Sequence, residues 1–65
     1  MITIVISNED FISESNVEIT EKNDINHVKN VYRYKTGDTI RLIDGKFEYK
    51  AVIAEIGNKR ILLQI

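Results

Sequence analysis

Hydrophobic and polar residues alternate along most of this chain, and one later stretch repeats its apolar residues at helical spacing. Residues 2–6 are rich in β-branched side chains, which favours a first strand. Residues 17–20 alternate apolar and polar side chains and predict a short second strand. The polar loop between them carries Phe11 and Ile12, and we expect both to tuck under the sheet.

A helix is expected to follow the second strand. Thr20 is the predicted N-cap, and Glu21 suits the positive end of the helix dipole. Gly37 should end the helix, because glycine readily adopts the left-handed conformation found there. Four apolar residues recur at helical spacing and should form one buried stripe: Ile25, Val28, Val31 and Tyr32.

The rest of the chain predicts a β-meander. Residues 39–43 should form a strand with Ile40 and Leu42 on one face, and Asp44-Gly45 indicates a tight hairpin. Residues 47–56 predict a long strand, and its second half is apolar on both faces, which favours a central position. Gly57-Asn58 predicts a second tight turn before a last strand at residues 61–65. The pattern therefore predicts a mostly β domain with one helix (α+β).

Length and composition narrow the possible functions. A chain of 65 residues holds one domain at most and leaves little room for a deep cofactor pocket. It has no cysteine, which excludes disulfides and thiolate metal sites and favours an intracellular location. No apolar run approaches a membrane span, and the first residues read as a strand and not as a signal peptide. We expect a cytoplasmic protein with no membrane partner.

Charge is unevenly distributed along the chain. Up to Asn26 there are six acidic residues and one basic residue, whereas from His27 onward there are eight basic and four acidic residues. A chain divided in this way can carry a basic patch despite a net charge of −1. The alternative is that ordinary solvated charges happen to segregate.

The chain offers little catalytic chemistry. With one histidine, no cysteine and three scattered glycines, we expect no catalytic, cofactor-binding or metal-binding residues. His27 is the only candidate general base, and its two other interpretations are a half-buried packing residue or an RNA contact. Asp38 and Asp44 flank a strand and are expected to serve as turn residues.

Nucleic-acid binding is better supported by the pattern. Lys29 and Arg33 lie four residues apart on the predicted helix, and such a row can contact phosphates. Tyr34 is the expected exposed ring that could stack on an unpaired base, with Tyr32 and Phe47 placed in the core. Seven residues are predicted to contact RNA: His27, Lys29, Arg33, Tyr34, Lys35, Arg41 and Lys46.

A family resemblance covers essentially the whole chain. Residues 26–38 (Asn-His-Val-Lys-Asn-Val-Tyr-Arg-Tyr-Lys-Thr-Gly-Asp) resemble the signature of the ribosomal RNA small-subunit methyltransferase E family (RsmE). Residues 40–45 look like that family's aspartate-glycine hairpin, and residues 48–56 are similar to the strand that follows it. Lys59-Arg60 matches a basic pair before the last strand.

The resemblance implies that residues 1–65 form an N-terminal, PUA-like mixed β-barrel that binds RNA. A C-terminal domain of the knotted SPOUT class, absent from this chain, would bind S-adenosylmethionine and form a homodimer. The implied reaction is methylation of N3 of a uridine in 16S rRNA, so the partner would be the small ribosomal subunit. This chain alone would then be no enzyme and hold no cofactor. The chain stops within an apolar strand, which we interpret as a cut at a domain boundary.

Two other functions compete with RNA recognition. The chain could be a structural or interaction domain that packs on a partner through an apolar edge; an exposed apolar patch without clustered lysine and arginine residues would favour it. A free-standing small enzyme is disfavoured, because the expected catalytic groups are missing. If RNA recognition is correct, Arg33, Lys35, Arg41 and Lys46 should converge on one face.

Overall fold

The computed structural model describes residues 2–65; Met1, which the predicted domain includes, lies outside them. One mixed sheet of five strands has the spatial order β1-β3-β4-β5-β2. β1 runs parallel to β3, and every other neighbouring pair is antiparallel. The strands are β1 (Thr3–Val5), β2 (Asn16–Ile19), β3 (Thr39–Ile43), β4 (Glu48–Ile56) and β5 (Ile61–Gln64).

The sheet curls into a half-barrel and carries one short helix, which confirms a mostly β fold with one helix. β1 and β2 lie at the two ends of the strand order, so the predicted barrel is only half closed. The concave side holds one cluster of buried apolar residues, which come from alternate strand positions and one helix face. The cluster comprises Ile4, Ile6, Val17, Ile19, Ile25, Val28, Ile40, Leu42, Ala51, Ile53, Ile61 and Leu63.

The long strand β4 is central, as predicted, because it lies between β3 and β5. Ala51 and Ile53 are buried, whereas Val52 on the opposite face is exposed. A register shift falls between Ile53 and Glu55, and beyond it Ile56 is half-buried. The apolar residues on both faces of β4 therefore reflect a central position but not burial of both faces.

Both predicted turns exist, each centred one residue later than predicted. At the first, the Asp44 N–H donates to the Phe47 carbonyl at 3.1 Å, so Gly45 and Lys46 form the tip. Gly45 has a φ of 99°, which a residue without a side chain adopts at little cost. At the second turn, the Gly57 N–H donates to the Arg60 carbonyl at 2.8 Å.

The helix begins later than predicted and changes its winding. Helix α1 (Lys22–Asn26) has Glu21 and not Thr20 as its N-cap, and it continues as a π-helical turn, His27–Val31. In that turn the Tyr32 N–H donates to the His27 carbonyl, five residues back, at 2.8 Å. A π turn advances fewer degrees per residue than an α-helix, so side chains after it point elsewhere.

The predicted apolar stripe is consequently half right. Ile25 and Val28 are buried, but Val31 is 59% exposed and Tyr32 is 52% exposed. Gly37 does not end the helix. The left-handed residue that follows the end of the helix is Arg33, with a φ of 54°. The Tyr34 N–H then donates to the Val28 carbonyl at 2.8 Å and closes the helix end.

The N-terminal loop contains a 3-10 turn, Asn8–Asp10. Phe11 packs against the core as predicted, with its ring edge-on to Tyr49 at 5.7 Å, but Ile12 is 59% exposed. Within residues 2–65, no helix is long and apolar enough to cross a membrane, and no three or more His, Cys, Asp or Glu side chains form a group that could hold a metal ion.

Candidate nucleic-acid interface

A groove of about 520 Å³ runs between the helix and the β4–β5 turn. We call it the lysine groove, because three lysines and four asparagines line it without any acidic residue. Its lining residues are Thr20, Lys22, Asn23, Ile25, Asn26, Lys29, Asn30, Asn58 and Lys59. Ammonium groups and amide N–H donors attract a polyanion such as a nucleic-acid backbone.

The helix and the turn position this groove together. The Lys29 ammonium donates to Asn58 Oδ1 at 3.0 Å, which ties the π turn to the β4–β5 turn. On the helix itself, the Asn30 amide donates to Asn26 Oδ1 at 2.9 Å. In both pairs the asparagine oxygen is the acceptor. Among residues 2–65, the Nδ2 groups of Asn26 and Asn58 donate to no other side chain.

Only part of this groove was predicted from the sequence. Lys29 is the one member of the predicted RNA-binding set that lines it, and Lys22 and Lys59 are new. Lys22 precedes Lys29 by seven residues, a spacing that places two residues on one helix face. Lys59 belongs to the basic pair of the family resemblance, and that pair could have suggested it.

A second cavity, of about 540 Å³, lies between strand β1 and the end of the helix. We call it the tyrosine pocket. It is lined by Ile2, Thr3, Ile4, Asp24, His27, Tyr32 and Tyr34. The two tyrosine rings have centroids 5.8 Å apart and are tilted by 47°. Two predicted RNA-binding residues, His27 and Tyr34, therefore meet here.

Three side chains in this region are exposed differently from the prediction. His27 is exposed, so its interpretation as a half-buried packing residue is wrong. Tyr34 is half-buried and packs against the core, whereas Tyr32 is exposed. The π turn and the left-handed Arg33 cause this exchange, because together they change the direction in which both rings point. Phe47, also predicted in the core, is 62% exposed because it lies at the hairpin before β4 begins.

Asp24 supplies the carboxylate of the tyrosine pocket. Partial burial, and then the nearby Glu21 carboxylate, raise the pKa of Asp24 above its ordinary value of 3.8. His27 acts in the opposite direction on this pKa, and Asp10 adds a smaller increase. The pocket is therefore unfavourable for another anion and favourable for a ligand with N–H donors.

The other predicted RNA-binding residues lie elsewhere on the surface. Arg33 and Lys35 are exposed after the helix, where the Lys35 N–H donates to Asp38 Oδ2 at 2.8 Å. Lys46 is exposed at the tip of the first hairpin. Arg41 points outward from β3, and its Nε lies 2.8 Å from Glu48 Oε1. This ion pair offsets the charge of Arg41. Convergence on one face stays a prediction for the four residues Arg33, Lys35, Arg41 and Lys46.

Comparison with known proteins decides the family. Residues 19–65 match the family described as "RNA methyltransferase PUA domain". The chain belongs to this family. The matched segment includes the helix, both walls of the lysine groove and strands β3 to β5.

A solved structure supports the same fold for the PUA domain. The protein described as "Crystal structure of an hypothetical protein" superposes with a TM-score of 0.79 at 20% sequence identity. The alignment covers 95% of this chain and 26% of that one, so this chain spans about a quarter of its length. At this identity the similarity shows the fold alone. No curated protein matches the chain.

Both aspartates of the PUA domain that were predicted as turn residues serve that purpose. Asp38 accepts the Lys35 N–H, and Asp44 accepts the Phe47 N–H at 2.9 Å and the Lys46 N–H at 3.2 Å. The Tyr49 hydroxyl also donates to Asp44, at 3.1 Å. The bond from Phe47 is the main reason that the pKa of Asp44 falls below its ordinary value of 3.8.

Exposed apolar side chains bear on the competing interaction function. The largest exposed fractions belong to Val5 on β1 and Phe47 at the first hairpin. An interaction domain would be favoured on one condition: an exposed apolar patch without clustered lysine and arginine residues. The PUA domain has exposed apolar residues, but three of its lysines line one groove without an acidic residue. These clustered lysines do not meet the second part of that condition.

Proposed function

We propose that this PUA domain is the RNA-recognition part of an S-adenosylmethionine-dependent 16S rRNA (uridine-N3) methyltransferase of the RsmE type. Its lysine groove anchors the rRNA backbone, and a separate C-terminal domain carries out the methyl transfer. The observation that carries this proposal is the absence of any acid among the nine residues that line the groove. Membership of an RNA methyltransferase PUA family supports the choice of RNA as the polyanion.

Binding in the groove is electrostatic. Each phosphate that a lysine neutralises releases condensed counterions, so affinity falls as the salt concentration rises. Three lysines predict a slope of roughly −2 to −3 in a plot of log affinity against log salt concentration. The asparagine Nδ2 groups add hydrogen bonds to phosphate or ribose oxygens, which fix the position of the strand without reading its sequence.

The lysine groove does not fit S-adenosylmethionine. It would place the ammonium groups of Lys22, Lys29 and Lys59 around a cofactor whose sulfonium is also positive. We therefore assign cofactor binding and homodimer formation to the further domain of the parent enzyme, and no step of that chemistry to this chain. On this proposal the parent works in the cytoplasm on the small ribosomal subunit.

The test is a titration of the domain with a 16S rRNA hairpin at low and moderate salt. We expect Lys22→Ala plus Lys59→Ala to weaken binding about tenfold and to reduce the salt slope by about two. The matched comparison is Lys22→Ala against Lys50→Ala, because each removes one lysine charge and Lys50 lies outside both the groove and the predicted RNA-binding set. Equal losses in these two single variants would show that net charge and not the groove binds RNA. No binding of the wild type at low salt would favour the interaction-domain function.

A further inference from the structure

The tyrosine pocket differs in chemistry from the lysine groove. Its lining includes two phenol rings, an imidazole and a carboxylate, but no lysine or arginine. Phosphate is a poor ligand for such a pocket, since Asp24 would repel it. A flat ring with N–H donors is a good ligand, because it can stack on an exposed tyrosine while the carboxylate accepts hydrogen bonds.

The position of the pocket suits an RNA that already occupies the lysine groove. Lys22, Asn26 and Lys29 line the groove, whereas Asp24 and His27 of the same helix line the pocket. The two cavities are therefore on different sides of the helix. A helix with its side chains is about 10–12 Å across. A stacked strand advances about 3.4 Å per nucleotide, so roughly three nucleotides cover that distance.

The backbone around the pocket is specialised. A π turn, His27–Val31, and the left-handed Arg33 together leave Tyr32 exposed at the rim, beside the half-buried Tyr34. Single π turns occur frequently at functional sites, and non-glycine residues in the left-handed region are concentrated at ligand sites. An ordinary helix end would have continued the apolar stripe and placed Tyr32 on the core.

The part-buried Asp24 carboxylate is free to accept hydrogen bonds from a ligand. Among residues 2–65, no side chain makes a hydrogen bond or an ion pair with its carboxylate. Partial burial and then the Glu21 carboxylate raise the pKa of Asp24, whereas His27 acts against this shift. Carboxylates with perturbed pKa values in clefts occur often at functional sites.

We propose that the tyrosine pocket binds one unpaired nucleobase, stacked on Tyr32, with the Asp24 carboxylate accepting the N–H groups of its Watson–Crick edge. Guanine fits best, because its ring N–H and exocyclic amine lie side by side and match the two carboxylate oxygens. This proposal rests on the proposed RNA-recognition function and adds a base preference to it. The lysine groove holds the backbone, and the tyrosine pocket selects the base.

The test uses short single-stranded RNAs that differ at one position, which is guanine, inosine or adenine in a uridine background. Inosine keeps the ring N–H of guanine and lacks the exocyclic amine. We expect the 65-residue chain to bind the guanine RNA about tenfold more tightly than the inosine RNA. Asp24→Asn should abolish this difference, because the amide replaces one acceptor oxygen with a donor.

Tyr32→Leu tests the stacking surface. It should weaken binding of all single-stranded RNAs about tenfold and leave binding of a double-stranded RNA unchanged, since paired bases cannot enter the pocket. Phe47→Leu is the matched control, because it removes another exposed ring that does not line the pocket. Circular dichroism and thermal denaturation establish that each variant is folded.

The outcomes distinguish failure of the tyrosine-pocket proposal from failure of the proposed RNA-recognition function. If the wild type binds RNA and loses affinity in the double lysine variant, while Asp24→Asn and Tyr32→Leu behave like the wild type, the pocket proposal is overturned and RNA recognition stands. If the wild type binds no RNA at low salt, both fall.

Discussion

The ammonium group of Lys29 donates a hydrogen bond to Oδ1 of Asn58, 3.0 Å away, and so connects the π turn with the β4–β5 turn. The two residues lie 29 positions apart in the sequence, and their contact brings the two walls of the lysine groove together. Asn58 is a neutral partner, so Lys29 keeps its charge available to a ligand. This pairing therefore joins the two walls of the groove and leaves the charge of Lys29 uncompensated.

Asn58→Asp tests whether Lys29 must have a neutral partner. The new carboxylate should pair with Lys29 and raise the free energy of unfolding by about 0–1 kcal/mol, the usual contribution of a surface ion pair. It should also weaken RNA binding several-fold, because it places the first acid in the groove. Urea denaturation and the RNA titration measure the two effects. An unchanged affinity would contradict the role of the groove, and Asn58→Ser is the control that shortens the side chain without adding charge.

Arg33→Gly should stabilise the domain by about 0.5–1 kcal/mol. Arg33 has a φ of 54°, and a left-handed residue with a side chain costs about 1–2 kcal/mol, part of which the greater chain entropy of glycine offsets. Chemical denaturation measures the change. Lys35→Gly is the matched control: it is exposed in the same loop and has no positive φ, so the same substitution there should give no gain.

Asp24→Asn should stabilise the domain at neutral pH but not in acid. The pKa of Asp24 is raised in the folded state, so folding becomes less favourable as pH rises through its ordinary value of 3.8 and the carboxylate ionises. The amide never ionises and escapes this cost. Denaturation at pH 7 and near pH 3 should therefore show a gain that disappears in acid. A gain of equal size at both pH values would point to packing instead.

Asp44 should give the opposite pH dependence. Its pKa is lowered in the folded state, so its contribution to stability is present above 3.8 and is lost as pH falls below 3.8 through the lowered value. Asp44→Asn should remove this acid-dependent loss and destabilise the first hairpin at neutral pH. Melting curves recorded across the range from pH 2 to pH 7 test this loss of stability. The control, Glu14→Gln, changes an exposed carboxylate in the N-terminal loop and should preserve the loss.

Local pattern was sufficient to predict the strands. Alternation at Ile40 and Leu42 predicted β3 at residues 39–43, which are its bounds in the structure. An apolar stretch on both faces predicted β4 as the central strand. The helix was predicted, but its end was not. The exposure of Tyr32 depends on a π turn, and a repeat read at 3.6 residues per turn has no signal for that change.

The lysine groove shows a different limit. Lys22 and Lys59 belong to elements that are distant in sequence and adjacent in the folded domain, so no sequence window contains both. The prediction placed Lys29 and Arg33 on the helix, whereas the helix ends before Arg33. Lys29 lines the groove, and Arg33 and Lys35 do not. Recognition sites built from two elements follow from topology, and the topology was predicted only in outline.

Strand β1 has a consequence for the order in which the domain assembles. Its three residues pair only with β3, and Thr3 lies opposite Arg41, so β2 and the whole helix separate the partners along the chain. The β3–β4–β5 meander closes short loops and should form first, whereas β1 must close the longest one. We expect amide hydrogens of β1 to exchange earliest among the strands. Because β1 forms one wall of the tyrosine pocket and none of the lysine groove, fraying of β1 would switch off base selection while the RNA backbone remained held.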